Sequence, residues 1–106
     1  MVNLNDLKSK EVFPGFTGKF LHGQQNTMAF WEVKMGGSVP MHQHIHEQVT
    51  YIIEGEMEMI IGGEKMLLTA GSLHVIPSNT PHNATAKTNC KVIDVFVPVR
   101  EDYKFD

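Results

Sequence analysis

Short apolar runs rich in Val, Ile, Phe, Tyr and Met recur along the chain and are broken by Gly, Pro and Asn. Breaks about every eight to twelve residues, with almost no helical periodicity, predict an all-β sandwich or barrel. Strands are expected near Thr17 to Leu21, Thr27 to Lys34, Gln48 to Glu54, Glu56 to Ile61, Lys65 to Thr69, Leu73 to Ile76, His82 to Thr85 and Lys91 to Val97. Gly62-Gly63 separates MEMII from EKMLL and can supply the positive φ angles of a tight turn, so those two runs should pair antiparallel. Residues 1–15 are polar enough for a loose arm or an edge strand shared with a partner.

The sequence has 106 residues, 42% of them hydrophobic, which fits one domain spanning 1–106 with its own core. Net charge is −3 and the basic residues are scattered, which argues against a nucleic-acid partner. Neither a secretory leader nor a membrane-length apolar stretch is apparent, so a cytoplasmic protein is expected. The lone Cys90 suits a buried, inert thiol. The methionines follow the strand alternation and suit gap-filling between sheets.

Chemistry concentrates in MHQHIHEQVTYIIEG, Met41 to Gly55. In an extended chain His42 and His44 would emerge on one face, about 7 Å apart, and share one ion. A divalent metal wants three or four protein ligands plus an open position, which makes Gln48 and a distant histidine the further candidates. His82 follows Pro81 at the entry to a strand. His46 suits a supporting or solvated role, and His22 and His74 have no sequence partners. Asp94 interrupts KVIDVFVPV on the same face as Val92 and Phe96, where an unpaired carboxylate costs several kcal/mol. It calls for a partner such as Arg100 or Tyr51, or for a catalytic duty. Trp31, Phe30, Tyr51 and Phe96 are candidates for an aromatic wall of a binding site, although aromatics in strands are more often core.

Gly36-Gly37-Ser-Val-Pro-Met-His42-Gln-His44 followed by Gln48 and Gly55 resembles the first motif of the cupins, with glutamine at the usual glutamate position. Gly71 to His82, GSLHVIPSNTPH, resembles the second, with Asn79 in place of its usual glycine; Ala86 stands where an asparagine is usual. The resemblance implies a cupin double-stranded β-helix, or jelly-roll barrel, with residues 35–97 as its core and His42, His44, Gln48 and His82 as metal ligands. HQHIHEQ, VIDVFVP and VREDY are further similar to the KdgF-like pectin-degradation branch. That implies opening of a 4,5-unsaturated uronate, with Asp94 as acid/base and Phe96 and Arg100 at the substrate; Tyr51 is a further candidate contact. The cofactor would be one divalent transition metal, Zn, Ni, Fe, Mn or Co. The substrate is expected to be a small anionic sugar and the protein a homodimer. An Fe(II) dioxygenase or a non-catalytic sugar-binding cupin are the alternatives.

Overall fold

The computed structural model describes residues 1–105. They form β1 (Lys10–Phe13), β2 (Phe16–His22), β3 (Thr27–Val33), β4 (Ser38–His42), β5 (Glu47–Glu54), β6 (Met57–Ile61), β7 (Glu64–Leu68), β8 (Leu73–Ile76), β9 (His82–Ala86) and β10 (Cys90–Val97). Short 3-10 turns cover Leu4–Asp6 and Glu101–Tyr103. Among the described residues, no helix is long and apolar enough to cross a membrane.

The strands make a six-stranded sheet in the order β1-β2-β3-β10-β5-β8 and a four-stranded sheet in the order β4-β9-β6-β7, antiparallel at each pairing. Their inner faces enclose the core, as expected for the jelly-roll. Alternation decides which side chains enter it. On β10 the inward set is Cys90, Val92, Asp94 and Phe96, all buried, while Lys91 points out. On β6 it is Met57, Met59 and Ile61, so two of the methionines fill the space between sheets.

The expected β6–β7 hairpin is present. Ile61 pairs with Glu64 across Gly62-Gly63, and both glycines have positive φ, 57° and 83°. Residues 1–15, expected as a loose arm or an edge strand, contain the edge strand β1, and β4 was not expected. β1 follows the polar start of the chain, and it pairs with β2 of the same chain rather than remaining a loose arm. β4 contains Pro40, which removes a ladder donor and reads as a strand breaker; at the sheet edge the missing donor faces no neighbour.

Candidate functional site

His42 ends β4 and His82 begins β9, and the two residues are direct partners across the sheet. Their ring centroids lie 4.3 Å apart. His44 does not continue β4. It lies in the β4–β5 connection just before the bend at Ile45 and His46, with its ring centroid 5.6 Å from that of His42, side by side as expected, and 5.0 Å from that of His82; contacts from outside the connection hold it there.

Those contacts come from the β8–β9 loop. The Asn79 N–H donates to the His44 carbonyl at 2.8 Å, and the Ser78 hydroxyl donates to the Ile45 carbonyl. Asn79 has φ 60°, in the left-handed region, where glycine is cheapest and asparagine is among the better alternatives. The departure from the motif's glycine is therefore accommodated by the backbone.

Each of the three rings has its Nδ1 against a backbone carbonyl. His42 meets Pro40 at 2.8 Å, His44 meets His46 at 3.0 Å and His82 meets Thr80 at 2.8 Å. A carbonyl only accepts, so Nδ1 carries the proton in each ring and Nε2 presents a lone pair. One ligand atom from each of the three lies within 4.8 Å of the others, an arrangement able to hold a metal ion. Burial, with the nearby Arg100 and His82 charges, lowers the His44 pKa to about 4. Burial also lowers that of His82. Both rings are thus held neutral, the form a metal needs.

Gln48, on the inner face of β5, places Oε1 3.2 Å from His44 Nε2. With His44 protonated on Nδ1, two acceptors face each other there. A cation between them turns that opposition into two donor–metal contacts, so the donor set of three imidazoles and one amide oxygen fits a divalent transition metal.

Asp94 is 8% exposed. Its partners are not Arg100 or Tyr51, as expected: Oδ2 accepts from Trp31 Nε1 at 3.0 Å and Oδ1 from the Thr50 hydroxyl at 2.7 Å. Burial pushes its pKa up to about 6, against the opposing pull of the Thr50 and Trp31 hydrogen bonds and of the nearby Gln48 amide. Arg100 is buried in spite of its place near the C-terminus. Asp102 grips its Nε at 3.0 Å and one Nη2 proton at 2.7 Å, and the guanidinium packs 4.7 Å from the Phe96 ring and 4.0 Å from that of Tyr103. Burial opposes its charge, but the Asp102 bonds and neighbouring groups outweigh that and raise its pKa.

His42, Gln48, His82, Asp94, Phe96 and Arg100 line one cavity of about 50 Å³ that opens to solvent. Phe96 sits edge-on to His44, centroids 5.7 Å apart. Tyr51 is a correction. It is 37% exposed and opposite in parity to Gln48 and Thr50, so it faces the outside of the sheet beside Leu73 and Ile93. His46 stays outside the three-histidine group but packs against His44 and Phe96.

Sequence reasoning missed Thr50 and Tyr103. Thr50 shares the inward parity of Gln48, a signal that was available. Tyr103 lines the cavity from the C-terminal turn, and burial pushes its phenol up to about 12.

The cupin domain family matches residues 29–96. The pectin degradation protein KdgF of Dickeya dadantii (strain 3937) is 36% identical over 64 residues, 58% of this chain and 58% of that protein, so the match spans little more than half of that relative. The solved structure of KdgF from Halomonas sp. is 32% identical, with a TM-score of 0.85 over 95% of this chain and 94% of that one. An RmlC-like cupin from Shewanella frigidimarina NCIMB 400 is 27% identical, with a TM-score of 0.91 over 97% and 94%. The matched segment carries the three histidines, Gln48, Asp94 and Phe96 on two facing antiparallel sheets, and the chain belongs to the cupin family.

Proposed function

We propose that this cupin is a metal-dependent enzyme that opens the ring of a 4,5-unsaturated uronate by proton transfer, without redox change. The observation that carries the reading is a buried carboxylate, Asp94, lining the same cavity as the His42 and His82 imidazoles and the Arg100 guanidinium. Likeness to the pectin degradation protein KdgF of Dickeya dadantii, and to KdgF from Halomonas sp., supports this substrate class.

His42, His44, His82 and Gln48 would hold the ion, one of Zn, Ni, Fe, Mn or Co. When bound it supplies Lewis acidity toward a substrate hydroxyl or ring oxygen. A neutral amide in the donor set leaves the dipositive charge undiminished, which favours an anionic sugar. Asp94, with a pKa near 6, exchanges protons close to neutral pH and serves as acid/base. Arg100 has Nε and one Nη2 proton committed to Asp102 and lines the cavity, where its guanidinium would hold the substrate carboxylate. Phe96 supports both the guanidinium and the His44 ring.

NMR on metal-loaded protein with lyase-generated unsaturated galacturonate, or its alginate counterpart, tests the proposal. Consumption well above the buffer rate is expected; buffer-rate conversion with every metal tried would overturn it. With metal in excess, Asp94→Asn should lower turnover by about 100-fold or more.

The same reading includes a homodimer. Leu73, Val75, Tyr51 and Ile53 are exposed apolar residues on the six-stranded sheet, and cross-strand pairing sets Leu73, Tyr51 and Ile93 in one row and Val75, Val49 and Val95 in the next. A second copy laid against this face would cover them.

A further inference from the structure

The carboxamide of Gln48 has two ends of opposite character, and only one of them can serve a cation. What turns the oxygen toward the histidines is a directional hydrogen-bond chain that begins at an indole. Trp31 Nε1 only donates, and its proton goes to Asp94 Oδ2 at 3.0 Å. The other oxygen, Oδ1, accepts the Thr50 hydroxyl proton at 2.7 Å. With that proton given away, Thr50 Oγ1 has only lone pairs left for its other neighbour, which is Gln48 Nε2 at 3.0 Å. The amide nitrogen is thereby engaged, and Oε1 is left facing His44 Nε2 at 3.2 Å.

Metal-free, that end state is unfavourable, because His44 has committed its own proton to the His46 carbonyl. Rotating the amide by half a turn would relieve the opposition at His44. It would also put Oε1 against a hydroxyl oxygen whose proton already belongs to Asp94, moving the conflict inward. Thr50, Gln48 and Asp94 are 2%, 6% and 8% exposed, so solvent is poorly placed to mend a broken link.

Building on the metal-binding reading proposed above, we infer that Asp94, through Thr50, is a positioning residue that presets the Gln48 carboxamide oxygen as the fourth metal donor. Asp94 thus has a duty separate from proton transfer, one that shows in metal affinity before any substrate is present.

The test is Zn²⁺ affinity by competition with a chromophoric chelator. Thr50→Val keeps the shape and removes the hydroxyl; it should weaken Zn²⁺ binding by about 10- to 100-fold, whereas Thr50→Ser should stay within about threefold of the parent. A carboxylate has two equivalent ends and needs no such orientation. In a Gln48→Glu background, therefore, the Thr50→Val effect should shrink to about threefold or less. Parent-like binding by Thr50→Val would overturn the inference, as would an undiminished loss in the Gln48→Glu background. Should Thr50→Val fail to fold by circular dichroism, Asp94→Asn probes the chain from its far end: the same Zn²⁺ loss is expected, again suppressed by Gln48→Glu, and parent-like affinity would overturn it. Absence of Zn²⁺ binding by the parent protein would sink the metal reading itself. Parent binding with an indifferent Thr50→Val sinks the relay alone.

Discussion

Asp94 and His44 place opposite demands on the fold as pH changes. Asp94 titrates near 6 in the folded protein and near its ordinary 3.8 when unfolded. Between those values the folded state holds a proton the unfolded chain has lost, so this contribution is full below the unfolded value and disappears as pH rises through about 6. His44 titrates near 4 folded and near 6.5 unfolded. There the unfolded chain binds the extra proton, and stability falls as pH drops. Over the shared window the two slopes oppose each other. Asp94→Asn leaves the histidine slope unmasked. Urea midpoints of the metal-free variant should fall more steeply on acidification from pH 6.5 to 4 than those of the parent, and parallel profiles would contradict the paired shifts. Tyr51 offers a simpler contrast. Since it faces outward, Tyr51→Ala should leave Zn²⁺ affinity within about twofold of the parent, whereas His82→Ala should abolish tight binding.

At the scale of elements, the β8–β9 loop does double duty, leading into His82 and bracing the connection that carries His44. Asn79 is its conformational hinge-point, with φ 60°. Asn79→Ala should cost about 1–2 kcal/mol, and Asn79→Gly should cost less than about half as much, both read by urea denaturation. Equal tolerance of the two would remove the left-handed backbone as the cause. The Gly62-Gly63 hairpin and the inward set on β10 were legible because local chemistry decides them: positive φ in one case, period-two alternation in the other. β4 was not, since Pro40 disqualifies a strand everywhere except at an edge, and edge position is a tertiary fact. The pairing of His42 with His44 was legible from their two-residue spacing, and their ring centroids lie 5.6 Å apart. The partners of Asp94 lie 63 and 44 residues away in sequence, beyond any local pattern. Tyr51 is the instructive error, because the alternation that turned Gln48 inward already sent its odd-numbered neighbour out.

At the scale of the whole molecule, the rows of apolar side chains on the outer face of the six-stranded sheet predict self-association. Gel filtration should give twice the 11.9 kDa chain mass, and Leu73→Lys with Val75→Lys should return it to the single-chain value. A second consequence follows from where the donors originate. His42 and His82 belong to the four-stranded sheet, Gln48 to the six-stranded one, and His44 to the connection that joins them. An ion held by all four would rivet the two walls of the barrel along one rim. Metal at 100 times its dissociation constant should then add about 2.7 kcal/mol to global stability, and a chelator should take it away. Amide exchange should record it: core amides such as those near Met57 and Ala86, which open with global unfolding, slow together, and the rim near Gln48 and Ile61 slows further as local fraying is suppressed. The mouth through which a sugar would enter is, on this view, also the seam that the cation keeps shut against fraying.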